Sequence, residues 1–122
     1  MENLENLYCK LFIDTDIDRE SLVQLISKIS SGVITKYMIS TRASEIEVRK
    51  NSGFDSENRL DKIDGFLYFR YYCDIEPKNE NDKMDYVTSI GVLLRGLWDL
   101  NIRAVAACDF EELLPNSGGY KY

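Results

Sequence analysis

The most regular pattern of apolar and polar positions lies at residues 66–77, FLYFRYYCDIEP. A period of two is typical of a β-strand, in which alternate side chains point to opposite faces of a sheet. One predicted face is mostly apolar and belongs in a core; it holds Leu67, Phe69, Tyr71, Cys73 and Ile75. The other predicted face carries tyrosines among charges, namely Tyr68, Arg70, Tyr72, Asp74 and Glu76.

Three more strands and two helices are predicted from similar patterns. The strands are 7–13, 44–50 and 102–108, and the connections 33–40 and 51–65 lack a clear period. Apolar residues at helical spacing predict a first helix that starts after an Asp18 N-cap and ends near Gly32. The second helix runs from about Met84 to a stop at Asn101, with Asp82 as a capping residue.

The order of these elements, β-α-β-β-α-β, predicts an α+β fold, the ferredoxin-like sandwich. We expect a four-stranded antiparallel sheet with the first and third strands in its centre. Right-handed crossovers would place both helices on one face. The whole chain, 1–122, is predicted to form a single domain with a short acidic C-terminal tail from about residue 109.

The open face of that sheet is the best candidate binding surface in the sequence. A solvated face is ordinary for an antiparallel sheet, so its tyrosines alone do not prove a partner. Net charge is −6, with 21 acids and 15 bases, which disfavours direct contact with DNA or RNA and favours a basic partner. A protein partner, or self-association, is therefore the preferred use of this face.

Catalytic and metal-binding patterns are missing from the sequence. The chain has no histidine, which removes the commonest general base and every Ser-His-Asp or Cys-His arrangement. Cys9, Cys73 and Cys108 are widely spaced and form no CxxC pair, so buried free thiols are expected rather than a zinc site. We predict that the protein is not an enzyme and needs no cofactor or metal.

No apolar run approaches the roughly 20 residues of a membrane span, and the start MENLENLYCK does not look like a secretory signal. We predict a cytoplasmic protein with no membrane contact.

The C-terminal half of the chain resembles small immunity proteins of bacterial polymorphic toxin systems, including contact-dependent inhibition loci. The stretches that carry the resemblance are GFLYFRYYCDIEP from Gly65 and LLRGLWDLNIRAVAACDFEELLPNSGGY, with Leu97–Trp98 and the Pro115, Gly118 and Gly119 ending. The resemblance implies a non-catalytic protein that binds one cognate toxin C-terminal domain and masks its active site. Many such toxins are nucleases with basic clefts.

Under that resemblance, candidate toxin-binding residues are acids near strand ends or on the tail, together with aromatic side chains and one arginine. They are Tyr68, Arg70, Tyr72, Asp74, Glu76, Asp109, Glu111, Glu112 and Tyr120. The alternative is a homo-oligomeric module that binds a small molecule or has a regulatory role. The sequence leaves open whether the chain is a monomer or a homodimer.

Overall fold

A computed structural model describes residues 6–62 and 64–119 of the chain. Within them, six β-strands and two α-helices form an α+β fold. The helices are α1 (Arg19–Ser30) and α2 (Lys83–Asp99). The strands are β1 (Cys9–Asp14), β2 (Val33–Thr35), β3 (Met38–Ser40), β4 (Ser44–Lys50), β5 (Tyr71–Pro77) and β6 (Arg103–Cys108).

All six strands form one antiparallel sheet in the order β2-β3-β4-β5-β1-β6. The prediction of four strands is wrong, because residues 33–40 form a β2–β3 hairpin rather than a plain connection. Lys36 makes its turn possible by adopting a left-handed backbone conformation, with φ of 58°. Among the four strands that were predicted, β1 and β5 do lie in the centre, flanked by β6 and β4.

Both helices pack on the same face of the sheet, in one apolar core. Alternate residues of the central strands enter that core, as predicted for Leu11 and Ile75, and the α1 and α2 side chains Leu22, Ile26 and Leu94 meet them there. Asp18 caps α1 by accepting a hydrogen bond from the Ser21 backbone N–H. The helix ends at Ser30, as expected near Gly32, but the residue that takes the left-handed conformation after it is Ser31, with φ of 59°.

The strand predicted from residue 66 begins only at Tyr71, and the face assigned to Phe69 is wrong. Residues Gly65–Tyr68 form a 3₁₀ turn instead. Phe69 is fully buried, but in a second cluster on the sheet face opposite the helices, with Phe12 and Val105. Leu67, also expected under the helices, is 46% exposed.

The segment after β6 is not a solvated tail. It forms a 3₁₀ turn at Glu111–Leu113 and then a left-handed turn, in which Asn116, Ser117 and Gly118 have φ of 50°, 52° and 84°. The segment buries Phe110 and Leu114 in the main core. Gly118 lies so close to β6 that a Cβ atom on it would sit 2.8 Å from the Ala106 carbonyl oxygen. The docked segment therefore fixes the position of the acidic residues that it carries.

Candidate binding surface on the sheet and its acidic end

The face of the sheet opposite the helices is divided into a covered half and an uncovered half. Residues 51–62 and 64–70 fold back over the first half, where Phe66 packs edge to face on Phe12 with 5.3 Å between ring centroids. Phe69 lies beside them, under the Arg103 guanidinium at 4.9 Å. The long connection that the sequence placed at 51–65 is thus a lid on part of the sheet.

An ion pair fastens this lid to the central strand. Arg59 Nη1 donates to both carboxylate oxygens of Asp14, at 2.9 and 3.0 Å. The Asp14 side chain is only 9% exposed, so the pair is better shielded from water than an ordinary surface salt bridge. The Asn51 side chain donates hydrogen bonds to the carbonyl oxygens of Leu67 and Phe69, and these bonds join the two ends of the lid.

The uncovered half carries a polar network centred on Asp74. Tyr8 donates its hydroxyl hydrogen to Asp74 Oδ1, and Arg49 Nε donates to Asp74 Oδ2 at 2.6 Å. Arg49 also reaches Glu47, at 3.0 Å. Burial, then the hydrogen bond and charge of Asp74, raise the pKa of Tyr8 well above its usual value, so this phenol stays neutral and remains a donor.

Lys10 and Tyr72 form the aromatic part of this half. The Lys10 ammonium lies over the Tyr72 ring, 4.3 Å from its centroid, and 5.2 Å from that of Phe12. Tyr72 is half-buried and its ring leans on Phe12, where the lid begins. The network and these rings form a mixed polar and aromatic surface on this half of the sheet.

Carboxylates concentrate at one end of the sheet, which we name the acidic end. Register places this end where β1 starts and β5 and β6 finish, since Cys9 is opposite both Ile75 and Cys108. Its members are Glu45, Glu76, Asp109, Glu111 and Glu112. Because neighbouring strands lie about 4.8 Å apart, β4 and β6 are separated by roughly 14 Å.

Two acids at this end face each other across a strand pair. Glu45 on β4 is opposite Glu76 on β5, and like charges in direct opposition destabilise a sheet. The Glu45 Oε2 atom is buried and makes no hydrogen bond to the described part of the chain. Burying an oxygen without a partner costs free energy, so a cationic group placed between these carboxylates would relieve both penalties.

The acids after β6 differ in what they contact. Glu111 is half-buried and accepts a hydrogen bond from the Cys108 backbone N–H at 3.1 Å, so it has a structural role. Asp109 and Glu112 are exposed.

The structure brings together some of the candidate residues inferred from sequence and separates others. Tyr72, Asp74 and Glu76 share the uncovered half, and Asp109, Glu111 and Glu112 directly follow β6 at the acidic end. Tyr68 and Arg70 belong to the lid: the Arg70 guanidinium stacks on Phe54 at 4.3 Å and lies 3.5 Å from Asp16. Tyr120 lies outside the described residues.

Sequence reasoning did not select three residues that organise the site, namely Tyr8, Lys10 and Arg49. All three occupy positions that strand alternation assigns to the same face as Asp74, but alternation does not give cross-strand register. Register places Lys10 opposite Asp74 and Arg49 opposite Tyr72. In the part of the chain that is described, no group of three or more Cys, Asp or Glu side chains is arranged to hold a metal ion.

A separate cavity of about 240 Å³ opens on the helix side, between the end of α1 and the middle of α2. Its walls combine isoleucines with hydroxyl groups, including Ile29, Ser31, Thr41, Ser44, Ile46 and Ile90. Thr41 and Ser44 bond each other there, with 2.9 Å between their hydroxyl oxygens. Within the described part of the chain, no charged residue lines this cavity.

Comparisons with family models, with curated proteins and with solved structures gave no match to this chain. Among the described residues, no helix has the length and apolar character to cross a membrane.

Proposed function

We propose that this chain is an immunity protein that binds a cognate bacterial toxin domain and masks its active site. The observation that supports this proposal most is the acidic end, where five carboxylates gather at one end of a sheet whose open face is partly aromatic. In this proposal the protein acts in the cytoplasm, by binding the toxin and without catalysing a reaction.

The physical basis is charge complementarity. Carboxylates attract a basic cleft, accelerate association and occupy positions meant for phosphate groups. A nuclease toxin fits best, because its cleft must be basic to hold nucleic acid. Glu45 and Glu76 add a local reason to accept a cation, since they oppose each other and the buried Glu45 oxygen has no hydrogen bond among the described residues.

The described architecture is compatible with this role. We propose that it is a ferredoxin-like sandwich, formed by β4-β5-β1-β6 and both helices, with the β2–β3 hairpin added at one edge. The lid covers the apolar half of the sheet, so Tyr72, Asp74 and Glu76 are the candidate toxin-binding residues on the sheet that are left to meet a partner. We propose that Tyr68 and Arg70 hold the lid in place rather than contact the toxin.

Capture of the partner tests the proposal. Tagged protein is expressed in its native host, purified at low salt, and the bound polypeptides are identified. We expect a large toxin's C-terminal domain, released when the salt concentration is raised. The isolated domain should stop growth of a test strain, and co-expression of this chain should restore growth. Recovery of the chain alone, as a salt-resistant dimer, would contradict the proposal.

The cavity on the helix side supports a second candidate, a small-molecule-binding module. A mostly apolar wall with a few hydroxyl groups suits a small neutral ligand. Mass spectrometry of the intact protein under non-denaturing conditions discriminates the two functions. A bound compound that is lost when Ile90→Trp fills the cavity would favour the second candidate, whereas toxin binding should survive that substitution.

A further inference from the structure

Two of the three cysteines face each other across neighbouring strands. Cys9 on β1 is the direct partner of Cys108 on β6, so their side chains are neighbours across the strand pair. Directly opposed residues of an antiparallel pair have Cα atoms about 4.5 to 5.5 Å apart. That spacing lies within the range of roughly 4.4 to 6.8 Å that a disulfide spans. Both thiols are free in this structure.

The two thiols have different environments, which gives them different chemistry. Cys108 is half-buried, whereas Cys9 is fully buried under the main core. The hydrogen bond from Cys9 lowers the pKa of the Cys108 thiol, and the Phe110 backbone N–H lowers it further, although burial and nearby carboxylates oppose them. The same thiol–thiol bond, together with burial, raises the pKa of Cys9. Cys108 therefore ionises first and is the sulfur that a reagent reaches.

We propose that Cys9 and Cys108 form a redox-active dithiol site that small hydroperoxides oxidise to a cross-strand disulfide. Cys108 is the attacking thiol and Cys9 is the resolving thiol. This inference does not depend on the proposed function, because it rests only on the β1–β6 register and on the surroundings of the two sulfurs.

The reaction balances with hydrogen peroxide as oxidant. The Cys108 thiolate attacks one peroxide oxygen, the O–O bond breaks, and the hydroxide that leaves takes up the proton lost by Cys108 to become water. Cys108 is now a sulfenic acid. The Cys9 sulfur then attacks the Cys108 sulfur, the S–S bond forms, and the S–O bond breaks. The departing hydroxide takes the Cys9 proton as a second water. Two thiols lose two electrons, and one peroxide gains them.

Cys73 provides an internal control. It is fully buried on β5, and its strand partners are Leu11 and Val48, so no cysteine lies directly opposite it. Burial raises the pKa of its thiol. Peroxide should therefore leave Cys73 unmodified while Cys9 and Cys108 react.

The test is thiol mapping of the folded, full-length protein. Reduced protein is treated with hydrogen peroxide, alkylated in denaturant and digested with trypsin, which places Cys9 in peptide 1–10, Cys73 in 71–78 and Cys108 in 104–121. We expect alkylatable thiols to fall from three to one, with peptides 1–10 and 104–121 linked and the link removed by dithiothreitol. Links that involve peptide 71–78, links between two molecules, or three surviving thiols would overturn the proposal.

Single variants separate the roles of the two thiols. In Cys9→Ser, peroxide should leave a sulfenic acid on Cys108 that dimedone traps. In Cys108→Ser, Cys9 should stay reduced at the same peroxide dose. Cys73→Ser should form the disulfide as the wild type does. Equal oxidation of Cys9 in Cys108→Ser and in the wild type would contradict the assignment of Cys108 as the attacking thiol.

Discussion

Phe66 packs on Phe12 edge to face, with the ring planes at 72°, and this contact holds the lid, residues 51–62 and 64–70, against the open face of the sheet. The segment covers Phe12 and Val105 with its own Phe69, and without it Phe12 and Val105 would be exposed to water. It also restricts the accessible part of the face to the charged half and the acidic end. The lid therefore determines which residues a partner can meet.

Truncating the Phe66 side chain should measure how much the lid contributes to the stability of the protein. We expect Phe66→Ala to lower the free energy of unfolding by about 1 to 3 kcal/mol, because it removes a half-buried ring and an aromatic pair. The measurement is chemical denaturation. Leu67→Ala is the matched control, since the neighbouring Leu67 is largely exposed and should change stability by no more than about 0.5 kcal/mol. Equal effects of the two variants would show that the lid is not packed.

Tyr86 connects α2 to the start of β1 and the end of β5. Its buried hydroxyl lies 2.6 Å from the Leu7 carbonyl oxygen and 3.0 Å from that of Ile75. Tyr86→Phe keeps the ring but removes the only donor, so it should cost about 1 to 2 kcal/mol in denaturation experiments. Tyr68→Phe should be nearly neutral, because the Tyr68 hydroxyl has no hydrogen bond within the described structure. A neutral Tyr86→Phe would argue against this contact.

The docked C-terminal segment makes a prediction at Gly118. This residue has φ of 84° and approaches the Ala106 carbonyl, so Gly118→Ala combines a strained backbone with a clash. We expect a loss of about 1 to 3 kcal/mol in the free energy of unfolding. Gly53→Ala serves as the control, because a Cβ atom added to Gly53 would come no closer than 3.3 Å to another atom, the side-chain oxygen of Asn51. A Gly118→Ala protein as stable as Gly53→Ala would contradict the docking of this segment.

The Asp18 cap gives α1 a pH-dependent contribution. The Ser21 hydroxyl and nearby backbone N–H groups lower the pKa of Asp18 from its ordinary value of 3.8, against a smaller opposing effect of burial. A lowered folded-state pKa means that the contribution is fully present above about pH 4 and is lost as pH falls through the lowered value. Asp18→Ala should therefore be less stable than wild type at neutral pH, and the difference should shrink in acid.

Asp18→Asn is the matched variant for the cap, since asparagine also caps helices but carries no titrating group. Its stability relative to Asp18→Ala should not depend on pH between 2 and 7. Thermal unfolding measured across that range gives both comparisons. A difference between wild type and Asp18→Ala that persists unchanged at the lowest pH would contradict the role of the carboxylate.

Sequence patterns predicted the elements with local signals and failed where the structure depends on distant contacts. Ile46 and Val48 alternate with charges, and the strand that holds them is present. The β2–β3 hairpin was missed because its turn uses Lys36 in a left-handed conformation, which glycine or asparagine usually adopts. Phe69 was placed on the wrong face because the apparent alternation of residues 66–70 runs without a break into β5. These residues in fact precede the strand and cover Phe12.

In the candidate site, too, the features with local signals could be predicted and those that depend on distant contacts could not. Its charge and its aromatic residues could be predicted from composition and alternation. The meeting of Tyr8, Arg49 and Asp74, and that of Cys9 with Cys108, depend on strand register, for which no turn or motif in the sequence gives a signal. The docked C-terminal segment was also missed, because its buried Phe110 and Leu114 are surrounded by acids that suggested a solvated tail.

The central claim is that the acidic end binds a basic toxin domain, and the most direct test is a pair of triple variants with the same change in net charge. Glu76→Gln/Asp109→Asn/Glu112→Gln neutralises exposed acids at the acidic end and spares Glu111, which has a structural bond. Glu20→Gln/Glu57→Gln/Asp99→Asn neutralises three exposed acids elsewhere. Calorimetry with the captured toxin domain gives a Kd for each.

We predict that the first triple variant weakens binding by about tenfold or more, a change of about 1.4 kcal/mol, and reduces its salt dependence. The second should bind within about twofold of wild type, because charges far from an interface are screened. Equal Kd values for the two variants would contradict the account, since net charge alone would then explain the binding.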